Sequence, residues 1–309
     1  MNIVRHRKIF YIISGLLIAG SIAAVMIWGL NFGIDFKGGA ILEVSYAENQ
    51  RPEQDNVEDI ISAQNIGEAS IRPTGEEGYI IRIKALSEGE RTLFVTALAR
   101  GNEGFEVKRS DSIGPILGKE LQSKAIISII LVMIAIVLFI TFAFRKVSEP
   151  VSSFKYGLIA IIALLHDVIV PTGAFAILGH YHGLEIDALF VTALLVILGF
   201  SVHDTIVVFD RVRENLKLDA EKQVTKRVPA TPFEEVVGQS ISQTFTRSIN
   251  TSLTVLLSLI ALYYFGPEAT RNFSLALFIG IAMGTYSSVF IGSPLLVTIQ
   301  KWQEKRKKA

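Results

Sequence analysis

The chain has 309 residues, half of them hydrophobic, with no cysteine and a formal net charge of +1. A mean hydropathy of +0.45 excludes an ordinary soluble domain, and the missing cysteines exclude disulfides and thiolate metal sites. The charge becomes informative only when divided by region.

Six segments are long and apolar enough to span a bilayer: residues 9–30, 125–144, 156–178, 188–209, 245–265 and 273–299. The first follows Arg5, Arg7 and Lys8, but it exceeds the apolar core of about 7 to 15 residues found in cleavable signal peptides. It is read as an uncleaved span. Arg145, Lys146 and Lys155 lie between spans two and three, and Arg211, Arg213, Lys217, Lys222, Lys226 and Arg227 between spans four and five. The excess of Lys and Arg assigns these loops, and the basic tail at 301–309, to the cytoplasm. Both termini are then cytoplasmic.

Between spans one and two lies a polar stretch, placed outside the cytoplasm by this orientation. Residues 40–46 alternate as a strand, 52–64 read as a helix, 70–74 and 79–84 as strands, 87–99 as a helix and 105–110 as a last strand. The order β-α-β-β-α-β is the ferredoxin-like pattern. From Glu43 to Asp111 there are 14 acidic and 8 basic residues, a balance that argues against nucleic acid or anionic lipid as the partner. Asp35, Gly38 and Gly39 suit a tight domain junction, where side chains would obstruct the turn. The expected organisation is 1–31 (N-terminus and span one), 32–122 (soluble domain), 123–300 (spans two to six, with a cytoplasmic loop at 210–239) and the tail. The fold class is an α-helical integral membrane protein carrying one extracytoplasmic α+β ferredoxin-like domain.

Ionisable residues inside spans are costly in lipid and mark function. Asp204 lies in the fourth span. In the fifth, Arg247 falls at three- or four-residue steps with Ser240, Gln243, Thr244, Asn250, Thr251, Thr254 and Ser258. Span four runs outside to inside and span five returns, so acid and base lie at similar heights in the inner part of the membrane and are expected to meet. A static ion pair that only orients two helices is the alternative. His166 and Asp167 in span three are adjacent, about 100° apart around the helix, so one is expected to serve a proton path and the other a packing contact. Pro171 follows one turn on. In span six, Gly280, Gly284, Ser288 and Gly292 form a small-residue ridge for helix packing.

Residues 114–120, GPILGKE, have one residue too few between glycines for a phosphate loop and Glu in place of the metal-binding Ser or Thr. No nucleotide site and no enzymatic activity are expected. His180 and His182 are read as solvated loop residues, so no metal is assigned either.

Residues 31–39, NFGIDFKGG, resemble the FGIDFxGG signature of SecF, the smaller half of the SecD–SecF family of protein-export accessory subunits. SIGPILGKEL (112–121), GFSVHDTIVVFDRVREN (199–215), SISQTFTRSINTSLTVLL (240–257) and GIAMGTYSSVFIGSPL (280–295) match the same family in order. His203 stands where many members carry Asn, adding a titrating neighbour to Asp204. The resemblance implies a half-transporter of the resistance-nodulation-division type in the bacterial inner membrane, pairing with six helices of a SecD homologue. It further implies use of the proton-motive force to draw preproteins through the SecYEG channel, alongside a YajC-like subunit, with protons as the coupling ion and no cofactor. On this resemblance Asp204 and Arg247 are the coupling acid and base, and His166, Asp167, His203, Gln243, Asn250 and Thr251 are candidates for a proton path. Two other classes stay open: half of a proton-coupled small-molecule or lipid exporter, and a non-energised scaffold of the translocon.

Overall fold

The computed structural model describes residues 3–64, 66, 69–145, 152–226 and 229–308. Lys146, Arg227 and Ala309, invoked for orientation above, lie outside the described residues. Two compact units result, Phe32–Ile126 and the combination of Met1–Asn31 with Ile127–Ala309.

In chain order the elements are α1 (Arg7–Trp28), α2 (Ile34–Lys37), β1 (Gly39–Ser45), α3 (Gln54–Ala63), β2 (Ser70–Thr74), β3 (Gly78–Ile83), α4 (Glu88–Ala99) and β4 (Glu106–Ile113). Then follow α5 (Pro115–Ala143), α6 (Ser153–His182), α7 (Ala188–Lys226), α8 (Phe233–Phe265), α9 (Arg271–Ser287) and α10 (Ser293–Lys308).

The smaller unit is built on one four-stranded sheet, order β2-β3-β1-β4, with every neighbouring pair antiparallel. Alternation along β1 sends Ala40, Leu42 and Val44 into the core, where Ile81, Val57, Phe94 and Leu98 meet them. Between Glu43 and Val44 the pairing with β4 shifts register, leaving Lys108 without an opposite number. Helix α4 is fixed by a capping box: the Ser87 hydroxyl accepts from the Glu90 backbone N–H, and the Glu90 carboxylate accepts from the Ser87 N–H at 2.8 Å.

The double glycine gains a structural reason. Gly38 has φ +77, and a Cβ there would sit 2.7 Å from the Cα of Pro115; a Cβ on Gly118 would sit 2.9 Å from the Gly38 nitrogen. The two motifs NFGIDFKGG and SIGPILGKEL therefore interlock, backbone against backbone, at the first turn of α5. That helix begins ten residues before the apolar run, because Pro115 is pre-organised for a first helical position and a helix-forming stretch follows it.

Long helices suit the larger unit, because a helix pairs most of its backbone polar groups within one segment, as lipid requires. Six helices have the length and apolarity of spans, the sixth running from Glu268 through Arg306. α1 packs on α6, and α9 contacts α6, α7 and α8. The α6 and α7 helices carry much of the bundle core: Tyr156, Ile159, Val208, Phe209 and Val212 are buried against Ile140, Val289 and Leu296. Phe144 stacks on Tyr156 with centroids 5.3 Å apart. At 39 residues, α7 is about 58 Å long at 1.5 Å per residue, so it outruns a hydrocarbon core of about 30 Å; its last turns, Asp210 onward, are charged. At their ends, α1, α8 and α10 converge on Glu234, which accepts from Arg7 at 2.9 Å and from Lys301.

Span six is not one uniform helix. A π turn, Ser288–Gly292, separates α9 from α10, and the Ser293 hydroxyl donates to the Ser288 carbonyl at 2.9 Å. The expected four-residue ridge is thus interrupted after Gly284.

Candidate functional site: buried acids in the helix bundle

Two carboxylates lie inside the bundle, Asp167 on α6 and Asp204 on α7, at 0% and 3% exposure. Their surroundings differ. Asp167 is engaged at both oxygens: His166 Nδ1 lies 2.9 Å from Oδ1, and Oδ2 accepts from Ser201 at 2.5 Å and from Ser287 at 2.7 Å. Three helices, α6, α7 and α9, meet at this one group. The expectation that His166 and Asp167 diverge is corrected here: both are buried and bonded to each other, because a histidine ring reaches back across the arc that separates adjacent Cα atoms. The ring of His166 also lies 5.9 Å from that of Tyr286, whose hydroxyl donates to the Phe10 carbonyl at 3.2 Å and lies 3.1 Å from Ser14 Oγ.

Asp204 faces Ser248 and Ser252 on α8, yet its Oδ2 and the Ser248 hydroxyl have no hydrogen-bond partner. Ser252 is engaged elsewhere, at 2.5 Å from Thr285 Oγ1. Thr285 donates its only hydroxyl proton to the Ile281 carbonyl at 2.9 Å, so Ser252 is the donor of that pair. A buried carboxylate oxygen is left with room for one more hydrogen, its own or a neighbour's.

Arg247 does not meet Asp204. No hydrogen bond or ion pair joins them among the described residues, and Arg247 is exposed on the outer surface of α8. The reason lies in helix phase. The expected polar face divides: Ser240 and Thr244 point into the bundle, on one line with Ser248 and Ser252, while Gln243, Arg247, Asn250, Thr251, Thr254 and Ser258 point out. Equal height does not make equal azimuth. Ser248 and Ser252, which lie outside the expected face, are the α8 hydroxyls turned toward the acid, although neither is bonded to its open oxygen; the four-residue spacing from Ser240 was the available signal. His203 is exposed as well, turned away from the bundle interior. Gln243 sits apart from the acids, its Oε1 accepting from Arg211 Nε at 2.6 Å and Asn215 Nδ2 at 2.9 Å. Asn250 and Thr251 lie on the outward line, with Thr251 donating to the Arg247 carbonyl at 3.0 Å.

The glycines of α9 bring that helix against α7. A Cβ on Gly280 would fall 2.1 Å from Ile197 Cδ1, and one on Gly284 would fall 3.0 Å from Ser201 Cβ, while Gly292, the last residue of the π turn, faces Thr205. Residues 197, 201 and 205 are themselves at four-residue steps, so two ridges of period four pack together. Gly38 and Gly39 belong to the smaller unit, as does Asp35.

Comparison with known proteins places the chain in a family. The model for "Protein export membrane protein SecD/SecF, C-terminal" matches residues 94–302, and that for the SecD/SecF GG motif matches residues 29–49. The protein translocase subunit SecF of Thermobaculum terrenum is 42% identical over 99% of this chain and 95% of its own length; that of Anaerolinea thermophila is 39% identical over 96% and 93%. The crystal structure of SecDF, a translocon-associated membrane protein from Thermus thermophilus, superposes with a TM-score of 0.80 at 31% identity and 97% coverage of this chain. The chain spans 39% of that larger SecDF chain. A match to a family model over more than half the sequence, with relatives aligned along nearly its whole length, leads to one conclusion: the chain belongs to the SecD/SecF family of protein export membrane proteins, on its SecF, protein translocase subunit side.

Proposed function

We propose that the chain works as one half of a proton-driven device that promotes preprotein export through the SecYEG channel, the other half being a SecD homologue. The observation that carries this reading is the outward polar line of α8. A spanning helix that presents Gln243, Arg247, Asn250, Thr251, Thr254 and Ser258 to its surroundings is costly against lipid and calls for a covering surface. Arg247 asks that surface for a carboxylate, and the SecDF chain that this half resembles has length to spare for a second half.

Within this reading Asp204 is the acid that gains and loses a proton, and Arg247 is its counter-charge at the seam between halves. Protonation changes the charge balance around a cation held in the membrane, and the helices rearrange to the state that accommodates it. Each charge moved through the field is worth about 2.3 kcal/mol per 100 mV. In this reading the membrane is the bacterial inner membrane; the Lys and Arg distribution supports cytoplasmic termini and an outer-side location for the β-α-β-β-α-β unit, taken as a ferredoxin-like domain. There it meets the emerging preprotein, while a YajC-like subunit belongs to the same assembly.

The test is export into inverted membrane vesicles with and without an uncoupler. Asp204→Asn and Arg247→Met each leave the complex assembled and abolish the uncoupler-sensitive part of export, with ATP-driven export surviving. Normal export with unchanged uncoupler sensitivity in an assembled Asp204→Asn complex reduces the acid to a structural group.

A further inference from the structure

The proposed coupling uses Asp204 and leaves the more deeply buried acid, Asp167, without a part. Its hydrogen-bond accounting separates it from Asp204. Both oxygens of Asp167 have partners, from three directions: His166 Nδ1 on its own helix lies against Oδ1, and the hydroxyls of Ser201 on α7 and Ser287 on α9 donate to Oδ2. A proton placed on Oδ2 would have to displace one of the two hydroxyls already aimed there, whereas Oδ2 of Asp204 is open. The Ser287 hydroxyl also lies 3.1 Å from the Gly284 carbonyl, but its single proton goes to the shorter, charge-assisted bond with Asp167. The titratable groups around Asp167 are His166 and, beyond it, Tyr286, whose hydroxyl is engaged with Phe10 and Ser14.

Ser201 is the link to the coupling acid. It lies three residues before Asp204, on the same buried side of α7 and about one turn away. On its far side Gly284 brings α9 to within van der Waals range of Ser201 Cβ. Ser201 is thus gripped from α6 through its hydroxyl and from α9 through its Cβ, and this grip sets the rotation of α7 where Asp204 leaves the helix.

We propose that Asp167 is a positioning residue: through Ser201 and Ser287 it fixes how α7 presents Asp204 to the hydroxyls of α8. The proposal rests on the reading of Asp204 as the exchanging acid, but its test does not use export. The assembled complex, purified with its SecD partner, is treated at pH 7 with a hydrophobic carbodiimide, which couples to protonated carboxyl groups, and adducts are located by peptide mass spectrometry. Asp204 takes the label and Asp167 does not. Ser201→Ala and Asp167→Asn each change the labelling rate of Asp204 by about threefold or more, the scale set by the net worth of one hydrogen bond. The double variant changes it no further, because both substitutions remove the same link. Ser201→Thr, which keeps the hydroxyl, retains the wild-type rate. Should Asp167→Asn fail to assemble, Ser201→Ala and Ser287→Ala carry the comparison. Label on Asp167, absence of label on Asp204, or an unchanged Asp204 rate in assembled Ser201→Ala overturns the proposal. Failure of the coupling reading shows separately, as normal export by Asp204→Asn.

Discussion

Gly173 shows how much a single missing side chain decides in this bundle. A Cβ there would lie 2.4 Å from the Cα of Ser21 and 2.3 Å from its Cβ, so α6 and α1 touch through backbone. Gly280 is just as crowded, but its neighbour is the end of the Ile197 side chain, which has other rotamers to adopt. Gly173→Ala must therefore push two helices apart, while Gly280→Ala needs only a side-chain shift. We expect Gly173→Ala to cost about 1–3 kcal/mol, the range for overpacked cores, and Gly280→Ala less, read as loss of thermal stability of the detergent-solubilised protein. A larger loss for Gly280→Ala would contradict this account. The sequence displayed the Gly280–Gly284 pair because both residues fall on one helix at a fixed step. It concealed Gly173, whose partner lies 152 positions away in the chain. The same limit applies to the acids. The depth of Asp204 and Arg247 is a matter of counting residues, and so was legible; their azimuth accumulates about 100° per residue, and small errors in the chosen face decide whether two side chains at one height touch.

Among the elements, α4 carries a testable electrostatic feature. The Glu90 carboxyl is held below the usual carboxylate range, first by the Ser87 backbone N–H and then by the Ser87 hydroxyl, which donates to it at 2.7 Å. A carboxyl whose value is lowered by folding adds stability above its unfolded value of about 4.3 and loses that contribution as pH falls through the folded value. Glu90→Gln is therefore expected to speed amide hydrogen exchange in the first turn of α4 at pH 7, and to differ little from wild type once Glu90 is protonated. Equal protection in both proteins at pH 7 would sink the assignment. Capping boxes of this kind are written locally, which is why α4 could be started at Ser87 from sequence. The strands were legible for a similar reason: inward residues alternate in β1 and β3. β4 was found at 105–110, but its end was not: the strand runs on to Ile113 through Asp111, where no apolar alternation marks it. Helix α8 hid its start, because Phe233–Gln243 is amphipathic rather than apolar and no hydropathy window announces it.

For the molecule as a whole, orientation is the property on which the remaining assignments depend. Reporter fusions after Gly101 and Gly183 are expected to read extracytoplasmic, and a fusion after Leu218 cytoplasmic; a cytoplasmic signal at Gly101 would remove the smaller unit from the path of the exported chain. The overall plan, six spans with a soluble insert after the first, could be read from composition alone, since a bilayer imposes its length scale on any sequence that crosses it. The seam could not, because a polar line in a helix looks the same whether it faces inward or outward until the neighbouring helices are placed.

The π turn in span six has a mechanical meaning. One extra residue in a turn offsets everything beyond it by about 100° of rotation and 1.5 Å of rise. Before the turn, α9 shows its glycines to α7; after it, α10 shows Thr298 to Tyr11, 3.0 Å away, and Lys301 to Glu234. A uniform α-helix through this segment would hold one of those engagements and forfeit the other. The turn is a phase joint, letting a single shaft mesh with two differently set gears, and a change in its winding would rotate the C-terminal half of the sixth span without moving its N-terminal half.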